Sequence, residues 1–236
     1  MNQSAPSAEM AAPLMPSPFR LVLTLGLIAM LSGFIIVLVH QVTAEPIARN
    51  HRRALEAAIF TVLPGAETRV SFALDGETLQ RLDEADIENT ELFAGFDGDG
   101  QLVGVALQAA ARGYAGEIRV LYGFDPAAQA IIGFTVLQSS ETPGLGDKIE
   151  SDPAFLANFE QLEARLDPAT GDIANPIVTV KEGEKENPWE IDGISGATVS
   201  SEAVGRALRV GTAEWVPRVM RNVEALRSAK TGEGPS

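Results

Sequence analysis

The sequence predicts an α+β fold, in which one N-terminal transmembrane helix precedes a single domain with an antiparallel sheet flanked by helices. Three observations support this prediction. An apolar run without charge occupies residues 21–39. Apolar and polar residues alternate from residue 91 to 138, which is typical of strands. Helical patterns precede, interrupt and follow that region, as in α+β domains.

The apolar run LVLTLGLIAMLSGFIIVLV predicts a membrane anchor over residues 21–39, after an N-terminal tail of residues 1–20. A helix needs about 20 apolar residues to cross a bilayer. A cleaved signal peptide is the alternative, because Val42, Thr43 and Ala44 resemble a cleavage site. The apolar core of a signal peptide usually has only about 7–15 residues, so we expect a retained anchor.

The charges that flank the anchor leave its orientation open. Arg20 precedes the run, whereas Arg49, Arg52 and Arg53 follow it. The positive-inside rule would then place the main domain in the cytoplasm. The three later arginines lie ten or more residues beyond the run and fit a folded segment equally well.

Composition excludes several classes of function. Residues 1–44 contain only Glu9 and Arg20 as charges, so the remainder carries the whole net charge of −14, which disfavours nucleic-acid binding. The chain has no cysteine, and its two histidines, His40 and His51, lie next to the anchor. A Ser–His–Asp triad and an ordinary zinc site are therefore not expected in the domain, and the sequence shows no other metal site. Any chemistry falls to carboxylates or to a cofactor.

The domain is predicted over residues 67–226, after a juxtamembrane helix within residues 40–66 and before a disordered tail of residues 227–236. A hairpin is expected around residues 97–100, DGDG, because Asp-Gly favours tight turns. A calcium loop is the alternative there, but its terminal bidentate acid is missing. Two further strands, EIRVLYGFD and AIIGFTVLQSS, should pair antiparallel.

The second half of the domain shows clear helix signals. Asp152 and Pro153 predict the start of a helix over SDPAFLANFEQLEARLD, with Phe155, Phe159, Leu162 and Leu166 as its buried stripe. A strand, NPIVTV, and a solvated loop, KEGEKENP, should follow. A helix is predicted from about Ser200, and another helical stretch after Pro217.

The stretch DGISGATVSS, residues 192–201, has more hydroxyl groups than helix capping requires. Gly196 permits a sharp turn, and a helix start near Thr198 would offer unpaired N–H groups to a phosphate. Ser195, Ser200 and Ser201 could add donors. A threonine beside a bound phosphate can become part of a phosphoester, although an ordinary capped helix is the alternative. GISGA is not a G-x-S-x-G nucleophile elbow.

The stretch ETPGLGDKI, residues 141–149, directly follows a strand. Two glycines flank Leu145, and Pro143 fixes the entry into the loop. Such a loop lets the backbone approach a flat ligand or another backbone segment, although an ordinary turn would also explain it.

Together, and behind an N-terminal anchor, these two segments resemble the FMN-binding domain of the G subunit of the Rnf electron-transport complex. They are also similar to the C subunit of the sodium-translocating NADH:quinone reductase. The most specific parts are S-G-A-T-x-[ST]-S and E-T-P-G-L-G, and the continuation GLGDKI favours Rnf.

The resemblance implies that FMN is linked covalently, through its phosphate, to Thr198. A magnesium-dependent flavin transferase would install it with FAD as donor. The residues expected to contact the cofactor are Ser195, Gly196, Ala197, Val199, Ser200, Glu141, Thr142, Gly144, Leu145, Gly146 and Lys148. Lys148 could offset phosphate charge or be a surface lysine, and Trp189 could stack on the flavin or belong to the core.

The resemblance also implies a redox subunit, rather than an enzyme alone, of an ion-translocating (Na⁺ or H⁺) NADH/ferredoxin oxidoreductase complex. Its partners would be other membrane and iron–sulfur subunits. The anchor would lie in the cytoplasmic (inner) membrane, with the domain facing the periplasm, against the simple arginine count. A C-type quinone-reductase subunit, a stand-alone membrane flavoprotein and a non-catalytic assembly domain without cofactor remain alternatives.

Overall fold

The computed structural model describes residues 17–75, 78–82 and 90–229. The helices are α1 (Pro18–Val62), α2 (Pro153–Leu156), α3 (Thr198–Arg221) and α4 (Val223–Ser228). The strands are β1 (Thr68–Asp75), β2 (Thr78–Leu82), β3 (Leu92–Phe96), β4 (Leu102–Arg112), β5 (Glu117–Asp125), β6 (Ala130–Gln138), β7 (Leu162–Glu163), β8 (Val178–Val180) and β9 (Glu190–Asp192). Two compact units divide the chain after Asn50.

The first unit contains the amino part of α1. Within the described residues, α1 is the one helix that is long and apolar enough to cross a membrane, with a mean hydropathy of 2.7 over its most apolar window. None of that window is buried in the protein. The structure therefore confirms a long apolar helix over the predicted anchor, and its length and composition suit a bilayer.

The second unit is built on an antiparallel sheet with the strand order β2-β1-β3-β4-β5-β6-β7 in the described part of the chain. The predicted hairpin joins β3 to β4, and β5 pairs with β6 as expected. Alternate residues of β5 on one face, Ile118, Val120, Tyr122 and Phe124, are all fully buried. This face packs against α3 through residues such as Val204 and Leu208. The α+β prediction is confirmed.

The opposite face of the sheet receives the carboxyl end of α1. Ile59, Val62 and Leu63 are fully buried in a cluster with Phe93 and Leu121 of the sheet. Each such side chain contributes roughly 1.5–3 kcal/mol by leaving water. The predicted helix within residues 40–66 is thus the carboxyl part of α1.

Glycines in the sheet make this close packing possible. A Cβ atom added at Gly123 or Gly133 would overlap the Val62 carbonyl group. The end of α1 therefore lies directly on the backbone of β5 and β6.

The predicted helix over residues 152–167 is wrong in its length. Asp152 does cap it, because its Oδ1 accepts hydrogen bonds from the N–H groups of Ala154 and Phe155. However, α2 ends at Leu156 and a 3₁₀ turn ends at Phe159. Leu162 then pairs with β6 as part of β7. The free edge of β6 offers backbone hydrogen bonds that outweigh the local helical pattern.

Three further differences concern single elements. The predicted strand NPIVTV is β8, but it pairs in parallel with β9 and outside the main sheet. Helix α3 continues through Pro217 to Arg221, and the further helical stretch expected after Pro217 is α4, which begins at Val223. Val216 and Val219 are buried on either side of Pro217, and this packing keeps the turn helical despite the missing N–H group. Strands β1 and β2 were not predicted.

Asn158 fixes the segment that leads into the DGISGATVSS stretch. Its side-chain amide donates to the Asp192 carbonyl oxygen at 3.1 Å and accepts from the Asp192 N–H group at 3.0 Å. This buried amide therefore holds the end of β9 against α2, one residue before the glycine turn begins.

Candidate cofactor site

The carboxyl side of the DGISGATVSS stretch forms the first turn of α3. Gly196 has a φ of +83°, which a residue with a side chain rarely adopts, and Ala197 occupies the N-cap without a side-chain hydrogen bond. Thr198 is the first helical residue. The backbone N–H groups of Thr198, Val199 and Ser200 have no hydrogen-bond acceptor in the described part of the protein. A helix start with three free donors favours an anion.

The serines around this turn do not all serve as free donors. Ser201 is fully buried; its Oγ donates to the Ala197 carbonyl oxygen at 3.0 Å and accepts from the Ile194 N–H group at 3.1 Å. Its predicted role as a donor for phosphate is therefore wrong, because the hydroxyl group closes the loop instead. The N–H group of Ser195 donates to Oε2 of Glu182 at 3.2 Å, and Ser195 itself is exposed.

Glu141 joins the two motifs. Its carboxylate is buried, with a relative exposure of 7% for the residue, and its Oε2 accepts a short hydrogen bond from Oγ of Ser200. Its Oε1 accepts from the Ala115 N–H group at 2.9 Å. Burial raises the pKa of Glu141, but the hydrogen bonds from Ser200 and from the backbone of residues 114–116 outweigh it and hold the pKa below its usual value.

A cleft of about 370 Å³ lies between the two motifs. Its lining residues are Tyr114, Glu141, Thr142, Leu145, Gly146, Gly196, Ala197, Thr198, Val199 and Ser200. Ligand sites typically occupy clefts of roughly this size or larger, with mostly apolar walls. The structure thus brings together eight of the cofactor contacts expected from sequence, besides Thr198 itself, in one cleft.

A second cleft, of about 620 Å³, lies on the other side of the same turn. It shares Gly196 and Thr198 with the first cleft, and Ser195 lines only this second one. Its walls include the carboxylates of Glu182, Glu184 and Glu202 and the ammonium group of Lys181. Thr198 is therefore exposed and lines both clefts, of which the first is mostly apolar and the second is acidic.

Three residues considered from sequence do not line either of these clefts. Gly144 adopts a φ of +76° in the ETPGLG loop, which explains the glycine by its turn conformation. Lys148 is exposed on the 3₁₀ segment Gly146–Glu150, so its surface interpretation fits the structure better. Trp189 is half-buried in front of β9.

Sequence reasoning missed Tyr114. This residue lies in the turn between β4 and β5, with 75% of its surface exposed, and it lines the first cleft with Leu145 and Val199, which are 52% and 44% exposed. Exposed apolar side chains that converge on a cleft indicate a ligand or partner surface. The available signal was a tyrosine beside glycine, directly before the predicted strand EIRVLYGFD.

The family matches identify a flavin-binding domain behind an apolar N-terminal helix. The FMN-binding domain family matches residues 113–211, which include the whole lining of the first cleft. The RnfG N-terminal region matches residues 16–62.

Relatives of similar sequence show the particular family. The chain is 32% identical over 191 residues to the G subunit of the Na(+)-translocating ferredoxin:NAD(+) oxidoreductase complex of Acetobacterium woodii, covering 79% of the chain and 86% of that relative. It is 36% identical over 134 residues to the G subunit of the ion-translocating oxidoreductase complex of Cereibacter sphaeroides (strain ATCC 17029 / ATH 2.4.9), where the match covers 57% of the chain and 59% of the relative. The chain belongs to the family of the G subunits of these oxidoreductase complexes.

A solved structure shows the same fold. The crystal structure of NqrC from Shewanella oneidensis aligns with a TM-score of 0.57 at 21% identity, over 76% of the chain and 99% of NqrC. At this identity the similarity concerns the fold alone.

Proposed function

We propose that the protein carries FMN joined through its phosphate to Oγ1 of Thr198 and serves as an electron-transfer subunit of an Rnf-type NADH/ferredoxin oxidoreductase complex. The observation that carries this proposal is the position of Thr198. It is exposed as the first residue of α3, beside three unpaired N–H groups and between two clefts.

The residues present fit the cofactor. The free N–H groups at the start of α3 and the positive end of its dipole suit a phosphate. Gly196 keeps the turn free of a side chain, and nothing would lie within 4 Å of a Cβ atom there. The apolar side chains of Leu145 and Val199 offer surfaces for a flat ring and would exclude water from it.

Attachment of FMN requires a phosphoryl-type transfer and no change of oxidation state. Oγ1 of Thr198 forms a bond to the flavin-side phosphorus of FAD while the bond from that phosphorus to the bridging oxygen breaks. AMP leaves, and the hydroxyl proton is released to solvent. As the resemblance to the G subunits implies, a separate magnesium-dependent flavin transferase would perform this step.

The bound flavin would supply reversible acceptance and release of electrons. The role of the chain is to hold the cofactor in a fixed place, so that it exchanges electrons with neighbouring subunits rather than with random acceptors. The absence of cysteine from the whole sequence leaves iron–sulfur clusters to those partners. The coupling ion, Na⁺ or H⁺, would be moved by the complex and not by this domain.

The amino part of α1 would anchor the protein in the cytoplasmic membrane, with the domain of residues 67–226 in the periplasm. This orientation follows the resemblance to the G subunits and opposes the simple arginine count. The arginines of that count, Arg49, Arg52 and Arg53, lie within helix α1 and are exposed. They lie ten or more residues beyond the apolar run, so they are weak topological signals.

The direct experiment is co-expression with an active flavin transferase, followed by ultraviolet illumination of an unstained denaturing gel. We expect a fluorescent band for the natural chain and none for Thr198→Val. Thr170→Val serves as the matched control, since Thr170 lies in an exposed loop away from both clefts, and its band should stay bright. A dark band for the natural chain would refute covalent attachment.

The same variant separates the proposal from a non-catalytic assembly role. Thr198→Val should abolish electron transfer by the membranes while leaving the complex assembled, as judged by native gels. Unchanged electron transfer with disturbed assembly would favour the non-catalytic alternative. Between Rnf and the quinone reductase, the proposal rests on 32% identity to the Acetobacterium woodii relative against 21% to NqrC.

A further inference from the structure

Glu141 is the one buried carboxylate in the described part of the chain. Burying a charge is unfavourable unless hydrogen bonds compensate for the lost water. Here one oxygen accepts from Ser200 on α3, and the other accepts from the Ala115 N–H group in the turn between β4 and β5. The side chain therefore connects three segments that are distant in sequence.

The carboxylate of Glu141 is closely packed on both sides by glycine residues. A Cβ atom at Gly113 would lie 2.6 Å from Oε1 of Glu141, and one at Gly146 would lie 2.6 Å from Oε2 and 2.7 Å from Oγ of Ser200. Glycine on both sides thus permits the pair to form. The three connected segments are also those that supply Tyr114, Leu145 and Val199 to the first cleft.

The bond to Ser200 also explains an unusual helix start. Helices commonly begin with a Ser, Thr, Asp or Asn whose side chain occupies one of the free N–H groups. The N-cap of α3 is Ala197, which has no such group. The first turn is held instead through the side chain of its third residue, Ser200. All three of its N–H groups consequently stay available.

We propose that Glu141 is a positioning residue for cofactor attachment, acting through Ser200. It fixes the first turn of α3 against the ETPGLG loop, so that Oγ1 of Thr198 and the free N–H groups are already arranged when the flavin phosphate arrives. This inference rests on the proposed attachment to Thr198. Pre-arrangement of this kind contributes to rate, because a reacting group displaced by about 1 Å can lose about a hundredfold.

The test measures the initial rate of flavin attachment to the purified, unmodified full-length chain in detergent, with FAD, Mg²⁺ and the transferase. The rate constant is taken at saturating chain concentration. Ser200→Ala removes the hydroxyl donor, and Glu141→Gln replaces one accepting oxygen by an NH₂ group. We expect both to lower the rate constant about tenfold or more.

Two variants serve as controls. Ser200→Thr keeps a hydroxyl group at the same position and should restore a rate within about threefold of the natural chain, a margin well inside the positional effect. Glu150→Gln removes the same charge from an exposed residue of the neighbouring 3₁₀ segment and should leave the rate unchanged. Near-ultraviolet circular dichroism at the assay temperature gives the folded fraction of each variant.

The outcomes are distinct. The positioning role is supported if Ser200→Ala and Glu141→Gln remain folded but accept flavin slowly, while both control variants accept it at the expected rates. Equal rates for all variants overturn it while leaving attachment to Thr198 intact. Losses that merely follow the folded fraction also overturn it, because they indicate a general structural role. A natural chain that accepts no flavin at all refutes the proposed function itself.

Discussion

At the scale of single residues, the candidate site depends on groups whose hydrogen bonds are fixed by the fold. Glu141 accepts hydrogen bonds as a buried carboxylate, whereas the hydroxyl group of Tyr122 is buried without any partner in the described part of the protein. The two residues should respond oppositely to the removal of their polar function. A satisfied buried group stabilises the fold, and an orphaned one destabilises it.

Glu141 should make stability depend on pH in a predictable direction. Its pKa is lowered in the folded protein, so its contribution to stability is fully present above the usual value of 4.5 and is lost as the pH falls below it. Urea unfolding of the natural chain and of Glu141→Gln at pH 7 and pH 3.5 tests this. The difference in unfolding free energy should shrink at the lower pH. A constant difference would show that the ionised form is not favoured by folding.

Removal of the Tyr122 hydroxyl group should stabilise the protein. Burial raises the pKa of Tyr122 far above its usual value, and its neutral O–H group has no acceptor among the described residues. Tyr122→Phe removes this unmet donor and keeps the ring. We expect the free energy of unfolding to rise by about 1 kcal/mol in urea titrations. A fall of that size would mean that the hydroxyl group has a partner after all, such as water.

The sequence alone indicated those features of the site that depend on residues close together in the chain. Gly196 is required by a positive φ, and Thr198 stands at a helix start, and both features follow from short motifs. The bond between Glu141 and Ser200 spans 59 positions along the chain. Nothing in the two motifs alone shows that they meet, and Tyr114 enters the cleft only through that meeting.

At the scale of elements, the most specific packing is that of the carboxyl end of α1 on the sheet. Backbone contact with Gly123 and Gly133 lets Val62 and Leu63 fill the groove between strands. The glycines of the sheet and those of the loop at residues 97–100 therefore have different roles. Turn glycines serve conformation, and sheet glycines serve close approach.

Gly123→Ala should therefore displace the end of α1. The added Cβ atom would overlap the Val62 carbonyl, and overpacking of this kind costs about 1–3 kcal/mol or more. Gly98→Ala is the control, because its Cβ would meet only the carboxylate end of the exposed Glu67, at 3.1 Å. Chemical denaturation should show a clear loss for the first variant and almost none for the second. Similar losses would contradict the packing described.

Elements with strong periodicity were predicted correctly, and elements decided by distant partners were not. Strand β5 alternates regularly, and its buried face was identified. Helix α2 ends early because Leu162 pairs with the edge of β6, and Phe159 stacks on Phe134 with a centroid distance of 4.1 Å. Such tertiary contacts override local helical spacing, which depends only on near neighbours in the chain.

At the scale of the whole molecule, the chain combines an apolar helix with an acidic domain. The overall class was predictable because an uncharged run and a net charge of −14 are properties of composition. The side of the membrane was not predictable from charge. The arginine count favours the cytoplasm, whereas the proposed function requires the periplasm.

The absence of native cysteine makes the orientation directly measurable. Single cysteines can be introduced by Thr170→Cys in the domain and by Ser4→Cys in the N-terminal tail, then exposed to a thiol reagent that cannot cross membranes. We expect intact cells to label the first position, and only lysed cells to label the second. The reverse pattern would place the domain in the cytoplasm and would contradict the proposed orientation.

The central claim is that Thr198 bears the flavin, and peptide mass spectrometry tests it most directly. Trypsin cleavage after Lys185 and Arg206 releases residues 186–206, which contain the whole GATVSS turn. In protein produced with an active transferase, this peptide should gain the mass of one FMN less one water, with fragment ions that place the addition on Thr198. An unmodified peptide, or an adduct on Ser200 or Ser201, would contradict the account.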